Sequence, residues 1–303
     1  MKKLVYSLVI VAAALFAVDR LGGQLMGWAS RHSDDVFAPK FRYLLDSVHE
    51  DVVLLGASRC HHHYVPAILS DSLHMTVYNA GIGGADNIFS HYIVLSHILE
   101  RTVPKVVCLE VMPSDYNRQP DPFAVISFFA PLWGHSAAAD SVFRLAGTSW
   151  RYRLSHLYRY NAKAPSTLWG LVLNRQQDSD HGYMPLPEPR QHPDALTREA
   201  PDLSRDPLKT DYLVRLANLC RQKAIRLVFV VSPKYTQVDT THYDVLRTFA
   251  DSHHIPFLDY HTAALYHDHP DYFKDAVHLT DRGARIYSAR FAHDLKQVLQ
   301  LSD

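Results

Sequence analysis

The sequence predicts an α/β domain built on a mostly parallel, five-stranded sheet. Short apolar runs recur along the chain, segments with helical apolar spacing separate them, and several runs end in turn-forming residues. Continuous apolar strands that alternate with helices indicate a sheet whose two faces are both covered. Ligands of such sheets bind at the carboxyl ends of the strands, so polar residues at those ends are the first candidates for a site.

Each strand and helix is predicted from a local pattern. The strands are the apolar runs 52–55, 75–78, 106–111, 227–231 and 255–258. The helices are predicted from helical spacing of apolar residues over 62–70, 88–99, 213–220, 242–250 and 281–299. Thr280 precedes the last of these helices and is predicted to cap its N-terminus.

The N-terminus predicts a membrane-targeting segment. Two lysines precede the uncharged stretch 4–18, and a charged pair ends it. A clear small-x-small cleavage site is missing, so residues 1–25 are interpreted as an uncleaved signal anchor; a cleaved signal peptide and a buried helix are the alternatives. The lysines would stay in the cytoplasm, and a domain over 48–303 would lie outside it, tethered to the inner membrane.

Residues 116–206 interrupt the strand–helix rhythm. The first half is rich in aromatic residues, and the second half is rich in proline and charge. The segment is predicted to be an insertion between the third and fourth strands that forms a cap beside the site. For its Pro-rich half, a loosely packed surface segment is the alternative. Its aromatic side chains are expected to form a small core rather than to stack on sugar rings.

The composition excludes some classes of partner. Lys+Arg and Asp+Glu both number 31, which gives a net charge of +0, so nucleic acid is not an expected partner. The chain has 20 histidines, but their spacing matches no metal-ligand cluster, and neither a metal nor an organic cofactor is expected. His61, His62 and His63 point in different directions on a helix and are expected to face solvent rather than to line a pocket mouth.

A serine follows the first predicted strand, in the run Gly56-Ala57-Ser58-Arg59. A serine at a strand-to-helix turn has its backbone N–H at a helix N-terminus, which favours an oxyanion beside its own hydroxyl. On its own, such a turn is equally well explained as a helix cap. The motif therefore makes Ser58 a candidate nucleophile that needs a base elsewhere in the chain.

The base is predicted near the other end of the chain, where Asp275 and His278 precede the last helix. A nucleophilic serine needs a general base, and that base needs a carboxylate to orient it. An aspartate and a histidine three residues apart on one loop can both converge on a serine across the sheet. His278 would take the Ser58 proton, and Asp275 would hold the imidazole tautomer and stabilise the imidazolium.

Together these residues resemble the motifs of the SGNH (GDSL-like) hydrolases. In that family the serine follows the first strand and an Asp-x-x-His lies near the C-terminus, followed by a small-residue helix start, here Gly283-Ala284. The resemblance covers roughly 51–115 and 208–300 and implies a flavodoxin-like, three-layer α/β/α fold. The α/β-hydrolase elbow Gly-x-Ser-x-Gly fits less well, because Cys60 occupies the second glycine position.

Two further blocks of the resemblance concern oxyanion stabilisation. The run Asn79-Ala80-Gly81-Ile82-Gly83-Gly84 looks like the family's turn after the second strand, which implies an oxyanion N–H from Gly84 besides that of Ser58. The third block departs from the family's Gly-x-Asn-Asp, since Ser114 occupies the Asn position. A serine hydroxyl donates one hydrogen bond but is shorter and rotates freely, so weaker oxyanion stabilisation is expected.

Three other residues are candidates for substrate contact. Arg59 adjoins the nucleophile and would bind a carboxylate or phosphate; pairing with a nearby acid is the alternative. Ser232 and Lys234 follow the fourth predicted strand and so face the same edge of the sheet.

The resemblance implies a serine-dependent esterase or O-acyltransferase. The chain is similar to the SGNH branch linked to O-acylation of cell-surface polymers in three features. These are the N-terminal anchor, the Gly-x-Ser-Arg block and a third block that departs from the family pattern. That likeness implies an acylated, above all acetylated, glycan or polysaccharide as substrate and a membrane-bound acyltransferase as partner. The alternative is a weakly active or inactive scaffold that binds the polymer or that partner. A lipid-directed esterase is compatible with the anchor but has no residue of its own to support it.

Overall fold

The computed structural model divides the chain into two compact units. The described residues are 1–33, 38–161, 163–172, 180–193, 197–199, 204–238, 240–261 and 263–301. The larger unit, here called the sheet unit, comprises Ser47–Val125 and Asp178–Asp303. The smaller, here called the helical unit, comprises Met1–Asp46 and Ile126–Gln177.

The predicted parallel sheet is confirmed. The described chain contains the strands β1 (Val52–Leu55), β2 (Val77–Asn79), β3 (Val106–Glu110), β4 (Thr197–Glu199), β5 (Arg226–Val231), β6 (Thr236–Val238) and β7 (Phe257–Asp259). Five of them form one all-parallel sheet in the order β2-β1-β3-β5-β7. When these five strands alone are counted along the chain, the order is 2-1-3-4-5, which is the flavodoxin-like arrangement. β4 and β6 form a separate parallel pair.

The predicted helices are also present, with one division. The α-helices are α1 (Lys2–His32), α2 (Ala38–Asp46), α3 (Ser58–His63), α4 (Pro66–Leu73), α5 (Ile88–Ile98), α6 (Ala137–Leu145), α7 (Ser149–Leu154), α8 (Ala164–Gly170), α9 (Pro207–Gln222), α10 (Asp244–Ser252), α11 (Ala264–His267) and α12 (Asp281–Leu299). The helix predicted over 62–70 is two helices, because Val65 precedes Pro66 and is extended, with φ of −94° and ψ of 105°.

Helices cover both faces of the five-stranded sheet. On one face, Val52 shares a buried core with Leu69 of α4 and Phe291 of α12. Consecutive strand residues point to opposite faces of the sheet. Val228 and Val230 belong to this core, so Phe229 between them lies on the other face. There its ring stacks on Phe249 of α10, with centroids 6.0 Å apart. The sheet is therefore the middle of three layers.

The start of α12 is packed too closely for any side chain at Gly283. The Thr280 hydroxyl accepts from the Gly283 N–H at 3.2 Å, so the predicted cap is confirmed. A Cβ at Gly283 would lie 2.2 Å from the Tyr272 carbonyl oxygen. We expect Gly283→Ala to lower the free energy of unfolding by about 1–3 kcal/mol through overpacking.

Denaturant unfolding in mild detergent measures this loss. Gly22→Ala is the matched control, because an added Cβ at this helical glycine meets nothing closer than 3.4 Å. Equal stability of the two variants would contradict the close packing of α12 on Tyr272.

The first helix of the helical unit is longer than the predicted segment. α1 has 31 residues, and an 18-residue window within it reaches a mean hydropathy of 2.0. Its length and composition are compatible with a membrane anchor or a signal sequence. Its second half packs on the 3₁₀ turn Leu157–Tyr160, where a Cβ at Gly23 would lie 2.6 Å from the His156 Cβ.

The segment predicted as an insertion is shared between the two units. Ile126–Gln177 belongs to the helical unit, and the rest of 116–206 belongs to the sheet unit. Within the helical unit, the rings of Phe143 and Tyr152 lie 4.7 Å apart, and those of Trp133 and Tyr152 lie 6.3 Å apart, so several aromatic residues form the expected small core. The strand β4 in the Pro-rich half was not predicted. The role of the segment as a cap stays a prediction.

Candidate active site

The Gly-x-Ser turn lies between β1 and α3. Ser58 is the first residue of α3, and Ala57 is its N-cap. A Cβ at Gly56 would lie 2.6 Å from the Cβ of Cys60 and 2.8 Å from that of Glu110, so glycine alone permits this packing. The turn therefore fixes the backbone that carries the Ser58 hydroxyl.

Asn79, the last residue of β2, holds α3 from the neighbouring strand. Its side-chain amide donates to the carbonyls of Cys60 at 2.7 Å and Tyr64 at 3.0 Å. Its side-chain oxygen accepts from the Gly81 N–H at 3.0 Å. Asn79 thereby links the turn after β2 to the helix that begins with Ser58.

Ser58, His278 and Asp275 form a continuous hydrogen-bond chain. The Nε2 atom of His278 lies 2.9 Å from Ser58 Oγ, and its Nδ1 atom lies 3.1 Å from both carboxylate oxygens of Asp275. Because an ionised carboxylate only accepts, Nδ1 carries the proton, and Nε2 can accept from the Ser58 hydroxyl. This is the tautomer that a serine nucleophile requires of its base.

The loop itself holds Asp275 in its ionised form. Its Oδ1 atom accepts from the N–H groups of Val277 at 2.8 Å and His278 at 2.9 Å. Partial burial opposes ionisation, but the hydrogen bonds from the His278 side chain and from the backbone outweigh it and lower the pKa of Asp275 to about 2. The Asp275 carboxylate therefore stays charged at neutral pH and well below it.

This pKa leads to a testable pH profile. The stability that ionised Asp275 contributes is complete above its unfolded-chain pKa of about 3.9 and is lost as the pH falls towards about 2. We therefore expect Asp275 to contribute no proton to the acidic limb of kcat/KM for an aryl ester, measured between about pH 4 and pH 9. A limb that requires two protons would show that Asp275 titrates in this range.

The three predicted oxyanion donors follow three adjacent strands. Ser58 follows β1, Gly84 lies in the turn after β2 with φ of 80°, and Ser114 lies in the 3₁₀ turn Pro113–Asp115 after β3. Because β2, β1 and β3 are parallel neighbours, all three residues lie at one edge of the sheet. The Ser114 carbonyl accepts from Lys209 Nζ at 2.8 Å, which holds this turn. Their joint role as an oxyanion hole stays a prediction.

The substrate contacts predicted for Arg59 and Ser232 need correction. Arg59 is 2% exposed, and its guanidinium lies 3.0 Å from the Glu110 carboxylate. Ser232 is fully buried, and its hydroxyl donates to the same carboxylate at 2.9 Å. Burial leaves neither side chain a surface for substrate, so the alternative of pairing with a nearby acid holds for Arg59. Lys234 is more exposed than either, at 9%, and its contact with substrate stays a prediction.

Glu110, the last residue of β3, was not predicted and is the centre of a buried polar cluster. Its carboxylate forms an ion pair with Arg59 and accepts from the N–H and hydroxyl of Ser232 and from the Tyr64 hydroxyl. Burial opposes the charge on Arg59, but the Glu110 carboxylate raises the pKa of the guanidinium, so Arg59 stays charged. The sequence feature that could have indicated this role is the position of Glu110 as an acidic residue at the end of an otherwise apolar strand.

His63 joins this cluster to the loop that carries His278. Its Nε2 atom accepts from the Leu279 N–H at 3.0 Å, so its Nδ1 atom carries the proton and donates to Ser232 Oγ at 2.8 Å. Burial and the neighbouring His278 hold the pKa of His63 well below its usual value, which keeps the ring neutral as this pattern requires. The expectation that the histidines of α3 face solvent is wrong for His61 and His63, because both are buried.

Other chemistry at this edge is limited. Within the described residues, no group of three or more His, Cys, Asp or Glu side chains could hold a metal ion. Burial raises the pKa of the Cys108 and Cys220 thiols, which leaves them unreactive at neutral pH.

Comparison with known proteins adds little to this geometry. No family model matches the chain, and no curated protein matches it. Among solved structures, it is similar to a crystal structure from Bacteroides fragilis that carries the provisional name acylhydrolase. The identity is 12% and the TM-score is 0.43, over 86% of this chain and 96% of that one. A likeness at this level does not bear on activity.

Proposed function

We propose that this chain is a serine-dependent ester hydrolase or O-acyltransferase. The observation that carries the proposal is the hydrogen-bond chain from Ser58 through His278 to Asp275. The imidazole tautomer, the ionised carboxylate and the start of α3 beneath the hydroxyl support the same chemistry.

The steps follow from these contacts. Ser58 Oγ bonds to the acyl carbon while its proton moves to His278 Nε2, and Asp275 stabilises the imidazolium. The N–H groups of Ser58 and Gly84 would face the developing oxyanion. Collapse breaks the ester bond, and the departing alcohol oxygen takes the proton from Nε2. Water or a sugar hydroxyl then attacks the acyl-serine, gives its proton to Nε2 and releases Ser58, which recovers that proton.

We infer that the substrate is an acyl, above all acetyl, ester of a cell-envelope glycan. The Asp275 side chain is 53% exposed and that of His278 is 25% exposed, so a bulky chain can reach the reacting atoms. The proposed membrane anchor would hold the chain near such polymers and near a membrane-bound acyltransferase partner. We also propose that the two N-terminal lysines stay in the cytoplasm and that the sheet unit lies outside it.

Active-site labelling tests the proposed chemistry. The full chain in mild detergent is treated with a fluorophosphonate, and the modified peptide is identified by mass spectrometry. The expected adduct is on Ser58, and O-acetylated polysaccharide is expected to lose acetate or to pass it to a glycan acceptor. A label on another serine would contradict the assignment of the nucleophile.

The alternative function is a scaffold that binds the polymer or the partner without turnover. Ser114, which stands where the resemblance leads us to expect an asparagine donor, favours it. A chain that binds O-acetylated polysaccharide but takes up no fluorophosphonate would support this alternative.

The side of the membrane is tested by fusing alkaline phosphatase to the C-terminus of the full chain. Phosphatase activity is expected, because this enzyme is active only outside the cytoplasm. An inactive fusion, together with a fluorescent C-terminal green fluorescent protein, would place the sheet unit inside.

A further inference from the structure

The first half of α1 projects from the helical unit without cover. Every residue from 2 to 18 is exposed, and burial begins at Asp19. At about 1.5 Å per residue, these residues span about 26 Å. The hydrocarbon core of a bilayer is about 30 Å thick, so a membrane crossed by this helix would reach the first elements that pack beside it.

Those elements are fixed to α1 at Asp19. The Asp19 carboxylate accepts from the Ser155 hydroxyl, from the His156 N–H at 2.9 Å and from the Leu157 N–H at 3.2 Å. These contacts set the turn 155–157, and the end of α7 just before it, at the level where the uncovered part of α1 ends.

The outer face of α7 is apolar at that level. Trp150 is 59% exposed, Leu154 is 70% exposed, and Leu157 in the following turn is 41% exposed. Trp150 and Leu154 are four residues apart and share one face of the helix, whereas Tyr152 on the inner side packs on Phe143. A helix in water normally turns its polar face outwards, so this arrangement needs an apolar neighbour.

Basic side chains surround this face. The guanidinium of Arg151 lies 5.5 Å from the Trp150 ring centroid, and Arg153 is exposed on the same helix. Residues 126–172 contain five basic side chains and one acidic one, although the whole chain is neutral. Tryptophan combined with arginine is typical of the headgroup layer of a membrane, where the ring is half-solvated and the cation meets phosphate.

We propose that residues 149–160, here called the interfacial segment, lie in the headgroup layer of the phospholipid bilayer that α1 crosses. Trp150, Leu154 and Leu157 enter the boundary between headgroups and acyl chains, and Arg151 and Arg153 bind the lipid phosphates. The inference rests on the proposed insertion of α1 but is independent of the proposed esterase activity.

Depth-dependent quenching of tryptophan fluorescence tests the proposal. The full chain is reconstituted into phosphatidylcholine vesicles that contain phosphatidylglycerol and lipids brominated at either a shallow or a deep acyl position. Three single-tryptophan proteins are compared. One retains Trp150, with the other tryptophans changed to Phe. The second retains Trp133, which is 8% exposed in the core of the same unit. The third carries Phe16→Trp in a tryptophan-free background.

We expect Trp150 to lose most of its emission to the shallow bromolipid and little to the deep one. The Phe16→Trp protein should be quenched by the bromolipids, and Trp133 should be quenched by neither. Arg151→Gln with Arg153→Gln should reduce the shallow quenching of Trp150 while circular dichroism shows an unchanged fold.

If the bromolipids quenched the Phe16→Trp protein but left Trp150 as unquenched as Trp133, the proposed position of the interfacial segment would be wrong. The proposed membrane anchor would still be supported. The apolar face of α7 would then belong to a protein contact. Absence of quenching in all three proteins would contradict both the membrane anchor and the interfacial segment. Shallow quenching of Trp150 in a protein without esterase activity would support the interfacial segment and count only against the proposed catalysis.

Discussion

Ser58→Ala is expected to lower kcat for a short-chain aryl acetate by on the order of 10⁴-fold or more. The change removes the oxygen that we propose forms the acyl-enzyme, and it leaves the His278 imidazole and the Asp275 carboxylate with no hydroxyl to activate. The measurement is steady-state hydrolysis by the full chain in mild detergent. Because Ser58 is half-buried at the surface of α3, the variant should unfold at the same denaturant concentration as the wild type.

A matched serine distinguishes this loss from a general effect of the substitution. The Ser252 hydroxyl is exposed and donates to the Phe249 carbonyl within α10, so Ser252→Ala should keep full activity. Equal turnover by the Ser58→Ala protein and the wild type would remove Ser58 as the nucleophile. It would leave the scaffold as the function that the geometry supports.

Glu110→Ala is expected to lower the free energy of unfolding by about 3–5 kcal/mol. The carboxylate is buried, forms an ion pair with Arg59 and accepts from Ser232 and from the Tyr64 hydroxyl. Removing it leaves the Arg59 charge and two hydroxyl groups buried without their acceptor, which costs far more than the deletion of an exposed pair. Denaturant unfolding of the full chain in mild detergent measures the change.

Two controls identify the cause of that loss. Glu100→Ala removes an acid that is 41% exposed and pairs with His97, so it should change stability by less than about 1 kcal/mol. Arg59→Met combined with Glu110→Leu removes both charges and should be more stable than Glu110→Ala alone. If the double variant were less stable than Glu110→Ala, the buried unpaired charge would not be the cause.

The fold could be predicted because its strands are buried on both faces. Apolar runs such as 52–55 and 227–231 consist of apolar residues throughout and are therefore easy to recognise, and turns or polar residues mark their ends. The error at 62–70 arose from local geometry, since helical spacing continues across Pro66 while the backbone before it does not. The short strand β4 has no apolar pattern, and its pairing with β6 joins segments that are distant in sequence.

The candidate site was predictable where chemistry demands particular residue types at strand ends. The sequence was sufficient to propose Ser58, Asp275 and His278 together, and the structure brings their side chains into one hydrogen-bond chain. The roles of Arg59 and Glu110 were not predictable, because burial of a charged pair depends on packing between strands. The residues next to each position in the sequence do not indicate which polar side chains contact one another inside the core.

The helical unit shows a different limit. The apolar stretch at the N-terminus was evident, but its contact with 155–157 joins parts of the chain more than a hundred residues apart. Composition suggested aromatic packing in this region. It could not separate the buried Trp133 from the exposed Trp150 and Trp169, since the spacing of these residues follows no helical period.

The position of His63 has a mechanical consequence. α3 carries Ser58 at its first residue and His63 at its last, and His63 is bonded to the Leu279 N–H, next to His278. One short helix therefore supplies the Ser58 hydroxyl at its first residue and holds the backbone beside His278 through its last. The 2.9 Å separation between Ser58 Oγ and His278 Nε2 thus depends on the seating of this single helix, and a change that loosens its last residue reaches the hydrogen bond made at its first.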